Sequence, residues 1–287
     1  MKDLATTKID LPGGAIEIRD SGGDGPLVVF VHGFFVDGRL WDQVWPAVAD
    51  AGYRCVMPNL PLGAHRLPLD DEADRSPTGQ AHRVADLVEA LGADRAVIIG
   101  NDSGGAVSQI LTSERPELVD RLILTSTDAF DHFPPTALKV LPFVARSTAV
   151  LRPVLWTLTR KPMLSKRIPY SFGQVTNRPI PEPLAEAWFK PAFEDSGVMR
   201  DVAGFAAGMK PSLTLGAAEK LKAFPRPVLV AWSADDKFFP VSDGEKLASI
   251  VPDGRFVLIE DSYTFSMLDQ PGVTSDAMVS FLEETSR

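Results

Sequence analysis

Several residue types that proteins use for covalent or metal chemistry are scarce in this sequence of 287 residues. Its single cysteine, Cys55, permits no internal disulfide bond and is typical of a reducing compartment, so we expect a cytoplasmic protein. Only four histidines are present, and the sequence contains neither a metal-ligand cluster nor a dinucleotide-binding fingerprint. We therefore expect neither a metal nor a cofactor.

Long apolar runs and an excess of positive charge are also missing. No window approaches the ~20 apolar residues of a membrane-spanning helix, and the amino-terminal residues lack the apolar region of a signal peptide. The formal net charge of −9 disfavours nucleic acid and anionic membranes as partners. A small-molecule substrate is the partner that we expect, and a homodimer stays open.

Apolar, β-branched runs alternate with amphipathic helical segments near both ends of the chain. Residues 6–20 predict a hairpin, residues 26–33, 95–100 and 226–236 predict buried strands, and residues 40–52 predict a helix. Such alternation is typical of an α/β fold with a mainly parallel, doubly wound sheet that has helices on both faces.

This alternation stops in the middle of the chain, where helical patterns are broken by prolines and no strand is indicated. We predict a helical segment over residues 130–215. It is inserted between a first core segment, 1–129, and a second core segment, 216–287.

The sharpest motif is "GNDSGG", residues 100–105, which joins a predicted strand to a predicted helix. A nucleophile elbow has this context and needs small residues two positions before and after the nucleophile. Asp102 has glycine at both positions, whereas Ser103 has the bulky Asn101 before it. The spacing favours Asp102 at the apex, with the backbone N–H of Ser103 in an oxyanion hole.

Four motifs in chain order resemble the α/β-hydrolase superfamily over nearly the whole sequence: "VHGFF" at 31–35, "GNDSGG" at 100–105, "VLVAWSADDKFFP" at 228–240 and "TFSMLDQP" at 264–271. The elbow resembles that of the aspartate-nucleophile branch, which includes epoxide hydrolases and haloalkane dehalogenases.

The resemblance implies the α/β-hydrolase fold, with residues 130–215 as its helical cap. It also implies catalytic roles for Asp102 and Asp236 and an oxyanion hole that uses the backbone N–H groups of Phe34 and Ser103.

The catalytic histidine of this branch is absent, because Thr264 stands seven positions before Pro271, where the histidine is expected. In the family that histidine activates water, which then hydrolyses the ester on the aspartate. A threonine hydroxyl does not titrate near neutral pH and cannot take this role. Asp128 and His132, which follow the sixth strand, are candidates for an accessory acid or base.

The sequence leaves the chemistry open. Asp102 is either a nucleophile toward an epoxide, an alkyl halide or an ester-type substrate, or an acid or base in an elimination, ring opening or rearrangement. The alternatives are a catalytically silent binding module and an esterase that uses Ser103. We expect a pocket between core and cap that is lined by His32, Phe35, Trp156, Tyr170, Trp188 and Phe265.

Overall fold

The structure is a computed structural model that describes residues 4–159 and 171–286. The strands in this part are β1 (Thr6–Ile9), β2 (Ile16–Asp20), β3 (Leu27–Val31), β4 (Arg54–Pro58), β5 (Ala96–Asp102), β6 (Val119–Thr127), β7 (Val228–Ser233) and β8 (Gly254–Ile259). They form one sheet in the order β1-β2-β4-β3-β5-β6-β7-β8.

The sheet is mainly parallel, as the sequence predicted. The predicted hairpin is formed by β1 and β2, and β2 pairs antiparallel with β4, whereas every pair from β4 across to β8 is parallel. Every residue of β3 is buried, and β5 is buried up to Asn101. The central strands therefore bring their carboxyl ends together in the middle of one edge, where ligands bind in open α/β sheets.

The helices in the described part are α1 (Trp45–Asp50), α2 (Pro77–Ala90), α3 (Ser103–Glu114), α4 (Leu141–Val144), α5 (Thr148–Leu158), α6 (Glu182–Glu194), α7 (Ser196–Gly208), α8 (Pro211–Leu221), α9 (Val241–Ile250), α10 (Ser266–Asp269) and α11 (Pro271–Glu284). Against the sheet, α2 and α8 pack on α3, and α1 packs on α11. None of these helices has the length and apolar character that a membrane crossing requires.

The helix predicted over residues 40–52 is shorter in the structure. A 3-10 turn occupies Gly38–Trp41, and α1 begins only at Trp45. Pro46 lies in the first turn of α1, where its missing N–H costs nothing, whereas deeper inside a helix it would break a hydrogen bond.

Between β6 and β7 the described residues form helices and no strand. Several polar contacts attach these helices to the core; among them, Trp188 Nε1 donates to Asp37 at 3.0 Å, and His65 Nε2 lies 3.2 Å from Asp201. The predicted boundary at residue 215 falls inside α8, which packs on α3 of the core.

The chain turns sharply from β5 into α3, because the helix starts at Ser103, directly after the last residue of the strand. A Cβ atom on Gly104 would lie 2.2 Å from the carbonyl oxygen of His32, and one on Gly105 would lie 2.1 Å from Thr127 Oγ1. Only glycine therefore lets this turn approach its neighbours so closely.

We expect Gly104→Ala to lower the free energy of unfolding by about 1–3 kcal/mol, because the added methyl group overlaps the His32 carbonyl. The matched control is Gly216→Ala in α8, where no atom lies within 4 Å of the new Cβ. There alanine should raise the free energy of unfolding by about 0.5–1 kcal/mol. Urea denaturation measures both, and an equal effect of the two variants would contradict the close approach.

Candidate active site at the carboxyl ends of the central strands

Asp102 sits at the corner between β5 and α3 in an unusual backbone conformation. Its φ of 53° and ψ of −133° are rare for a residue other than glycine and cost about 1–3 kcal/mol. The Thr127 hydroxyl donates to the Asp102 carbonyl at 2.6 Å and fixes this conformation. The corner thus holds the carboxyl group of Asp102 at the amino end of α3.

One oxygen of the Asp102 carboxyl group is held by the next residue. Ser103 donates its backbone N–H to Asp102 Oδ1 at 2.5 Å and its hydroxyl to the same oxygen at 3.1 Å. The backbone N–H of Phe34 also interacts with this carboxyl group. The two amides that were predicted to form an oxyanion hole therefore converge on Asp102 itself.

Gly33 allows this arrangement, because a Cβ atom there would lie 2.5 Å from Asp102 Cβ and 2.7 Å from Asp102 Oδ2.

Burial raises the pKa of Asp102 to about 7, against the lowering effect of the Ser103 hydrogen bonds, and the negative charge of Asp236 raises it further. Near neutral pH, Asp102 is therefore balanced between its two protonation states.

Asp236 lies beyond the end of β7 and is bonded to the residue that stands in place of the expected histidine. Its Oδ1 atom accepts hydrogen bonds from the backbone N–H groups of Phe238 and Phe239 and from the Thr264 hydroxyl, the last at 3.0 Å. Burial raises the pKa of Asp236 to about 6. The structure thus contains a threonine–aspartate pair at the predicted site of a histidine–acid pair.

Asn101, near the end of β5, connects this strand to β6 and to the segment that carries Thr264, a role that the sequence analysis did not predict. Its Nδ2 atom donates to the Thr264 carbonyl at 2.9 Å and to the Ser126 carbonyl at 3.2 Å. The only signal in the sequence was a bulky polar residue beside the turn. Asn101 fixes the position of Thr264 relative to the strand that carries Asp102.

Asp128 and His132 were the two candidates for an accessory acid or base. In the structure, Asp128 lies near Asp102, whereas His132 does not. Asp128 is completely buried, and its Oδ2 atom lies 3.2 Å from the Ser103 hydroxyl oxygen. Burial raises the pKa of Asp128 well above its usual value, and the nearby charge of Asp102 adds to the rise. His132 instead pairs with Asp243 of α9 at 2.6 Å and does not line the cavity.

A cavity of about 100 Å³ opens on Asp102, Ser103 and Thr264. Its other walls are almost entirely apolar and come from both the core and the inserted helices: Phe34, Phe35, Pro134, Pro135, Leu138, Leu141, Leu155, Thr159, Phe172, Val175, Met209, Phe238 and Phe239. No residue of this described lining carries a positive charge or an imidazole. The cavity therefore suits a small apolar molecule that meets the carboxyl group of Asp102.

Of the six residues predicted to line the pocket, Phe35 does so, and Tyr170 lies outside the described residues. The structure corrects the prediction for His32, which is fully buried away from the cavity. Its ring nitrogens contact the Gly33 carbonyl and the Leu60 N–H, both at 2.9 Å. Burial lowers the pKa of His32 to about 4, so it is a neutral structural residue.

The remaining three predicted aromatic residues also lie outside the cavity lining. Trp188 and Phe265 are fully buried and pack edge-on against Phe172, which itself faces the cavity. Trp156 lies half-exposed on α5. The sequence pattern identified aromatic residues in this region but could not show that Phe172, Phe238 and Phe239 are the ones at the cavity.

Comparisons with known proteins give the family and the fold. Residues 28–277 match the profile described as "Alpha/beta hydrolase family". The sequence is 26% identical over 251 residues to 2-hydroxy-6-oxo-6-phenylhexa-2,4-dienoate hydrolase of Burkholderia cepacia, covering 84% of this chain and 81% of that protein. It is 24% identical over 287 residues to AB hydrolase superfamily protein YfhM of Bacillus subtilis, covering 91% of each chain.

Among solved structures, haloalkane dehalogenase DbeA of Bradyrhizobium elkani superposes with a TM-score of 0.80 at 17% identity, covering 99% of both chains. At that identity the likeness concerns the fold alone.

The raised pKa of Asp102 predicts how stability depends on pH. A carboxyl group with a raised pKa binds its proton more tightly in the folded state, so the free energy of unfolding falls as pH rises from about 4 to about 7. Asp102→Asn removes this contribution. We expect it to be more stable than the wild type at about pH 8, with the advantage shrinking toward about pH 5.

Urea denaturation across this range measures the effect. The control is Asp235→Asn, which changes an exposed carboxyl group beside Asp236 and should alter stability by less than about 0.5 kcal/mol. Parallel pH curves for the wild type and Asp102→Asn would contradict the burial of a costly charge at Asp102.

Proposed function

The chain belongs to the alpha/beta hydrolase family, and we propose that its Asp102 carboxylate attacks a small, neutral, largely apolar electrophile such as an alkyl halide or an epoxide. The attack joins Asp102 to the substrate carbon as an ester and either releases the halide or opens the epoxide ring, whose oxygen takes up a proton from solvent. Hydrolysis of the ester then completes turnover.

The observation that carries this proposal is the way Asp102 Oδ1 is held. Ser103 donates both its N–H and its hydroxyl to that oxygen, so these donors are engaged and do not face a substrate carbonyl. In an Asp102 ester, Oδ1 becomes the carbonyl oxygen. The same donors would then stabilise the negative charge that develops on it when water attacks.

The cavity supports a neutral substrate. Its described lining is apolar except for Asp102, Ser103, Thr159 and Thr264, and it contains no Lys or Arg. An anionic substrate such as a haloacid would place its charge next to the Asp102 carboxylate without a compensating cation, at a high cost in so apolar a site.

Hydrolysis of the ester is expected to be the slow step. Thr264 lines the cavity and its hydroxyl donates to Asp236, which is not itself part of the described cavity lining. The pair therefore presents only the Thr264 hydroxyl to the cavity, and a hydroxyl does not accept a proton near neutral pH as an imidazole does. We therefore expect the ester to accumulate during turnover.

Acid–base catalysis by Asp102 is the second candidate, because a pKa of about 7 suits a group that both accepts and donates a proton. A serine esterase is less well supported, since the Ser103 hydroxyl lies between two carboxyl groups and the described cavity lining offers no imidazole to activate it.

Intact-mass spectrometry after incubation with bromobutane or styrene oxide tests the nucleophile. We expect an added butyl group in the first case and an added epoxide in the second, both absent in Asp102→Asn and retained in Asp235→Asn. Consumption of a substrate without an adduct would favour the acid–base role instead. If neither adduct nor consumption is seen while bromobutane still raises the melting temperature, the binding-module hypothesis would replace both.

Thr264→His should speed release of the ester by about 100-fold or more, because an imidazole there would meet Asp236 and could activate water. Thr264→Gln is the matched control, since it adds bulk and polarity without a base. Decay of the mass adduct after removal of bromobutane measures release. Equal decay in the two variants would show that an imidazole at this position does not restore the water-activating step.

A further inference from the structure

The Ser103 hydroxyl lies between two carboxyl groups. Its oxygen is 3.1 Å from Asp102 Oδ1 and 3.2 Å from Asp128 Oδ2. A serine hydroxyl has one proton and can donate to only one acceptor at a time, whereas its oxygen can accept. Both contacts are hydrogen bonds only if one of the two carboxyl groups is itself protonated and donates to Ser103.

The surroundings favour Asp128 as the protonated group. Its side chain is completely buried, and its Oδ1 atom has no hydrogen-bond partner. Asp102, in contrast, faces the cavity and receives the Ser103 N–H at 2.5 Å. An unpartnered oxygen in an apolar interior disfavours the ionised form, whereas an N–H donor favours it.

The charged groups that act on Asp128 have the same sign. Asp102, at the end of β5, and Asp236, beyond β7, are the titratable side chains that influence it. On the side of α3, Gln109 donates to the Asp128 carbonyl at 2.8 Å and brings no charge. With two acidic neighbours and no ion pair to a Lys, Arg or His among the described residues, a negative charge on Asp128 would be uncompensated.

We propose that Asp128 is a neutral carboxylic acid whose proton is donated to Ser103 Oγ, while the Ser103 hydroxyl donates in turn to Asp102 Oδ1. This chain of hydrogen bonds delivers a proton to Oδ1 during hydrolysis of the Asp102 ester. Asp128 is a positioning residue in this scheme, since it acts on the reacting carboxyl group through Ser103. The proposal rests on the nucleophilic role of Asp102.

The proton movements balance as follows. Water adds to Cγ of the Asp102 ester, and the electron pair of the C=O double bond moves to Oδ1. The Ser103 proton passes to Oδ1, and the Asp128 proton passes to Ser103, leaving Asp128 ionised. As the bond from Cγ to the ester oxygen breaks, one proton of the attacking water goes to the departing alcohol, and the relay proton returns to Asp128. The second water proton stays on the regenerated Asp102 carboxyl group, which releases it to solvent before the next attack.

The protonation of Asp128 is tested without any substrate. At about pH 8, above the pKa values of about 7 for Asp102 and about 6 for Asp236, infrared spectroscopy should still detect the C=O stretch of a protonated carboxyl group. We expect this band in the wild type and in Asp131→Asn, an exposed control three residues away, and its loss in Asp128→Asn. Absence of the band from the wild type would overturn the proposal, whatever the activity of the protein.

The delivery of the proton is tested by comparing two rates in Asp128→Asn. The asparagine amide can still donate to Ser103 but cannot transfer a proton, so release of the butyl ester should slow by about tenfold or more relative to formation of the adduct. Formation should keep the pH dependence of the wild type. A shift of that dependence to lower pH would mean that a negative charge had been removed, and this would overturn a neutral Asp128.

Ser103→Ala removes the hydroxyl that links Asp128 to Asp102 in the same chain of hydrogen bonds. It is the test variant to use if Asp128→Asn fails to fold. It should also slow release more than formation, and equal slowing of both steps would overturn the delivery role. If the wild type forms no adduct while the infrared band is present, the proposed function fails together with the delivery step, and the neutral Asp128 stands as a separate result.

Discussion

The candidate site depends on how closely the backbone packs at the turn from β5 into α3. Gly104 and Gly105 let the turn approach the neighbouring strands, and Gly33 leaves room for the Asp102 side chain. Because the turn is so tight, the Ser103 N–H at the start of α3 points at Asp102 Oδ1. The strained backbone at Asp102 and the anchoring of its carboxyl group are two consequences of one steric arrangement.

Negative charge is unfavourable at this turn, because the carboxyl groups of Asp102, Asp128 and Asp236 come together in an apolar region. Burial raises the pKa of each of them, and the negative charges of neighbouring carboxyl groups raise the pKa values of Asp102 and Asp128 further. Backbone N–H groups and the hydroxyls of Ser103 and Thr264 offset part of this cost. The main effect of the hydrogen bonds in this site is therefore to stabilise its negative charges.

Thr264, at the position where the sequence analysis expected a histidine, fits the same picture. An imidazolium beside Asp236 would have supplied a positive charge to this cluster, whereas a threonine supplies one hydroxyl donor. Asn101 holds the Thr264 backbone, so the loop is positioned by neutral hydrogen bonds. With no cation among the described residues that line the cavity, a proton stays on a carboxyl group, and this favours chemistry in which carboxyl groups exchange protons through hydroxyls.

The sequence by itself determined the parallel sheet and the position of Asp102, because strand periodicity and the glycine spacing of a tight turn are local properties. It did not distinguish Asp128 from His132, and it placed His32 and Trp188 at a pocket that neither lines. Those outcomes depend on which residues meet at the carboxyl ends of β5, β6 and β7, far apart in sequence. Only the tertiary structure decides such contacts, and the protonation of each carboxyl group follows from the burial that they create.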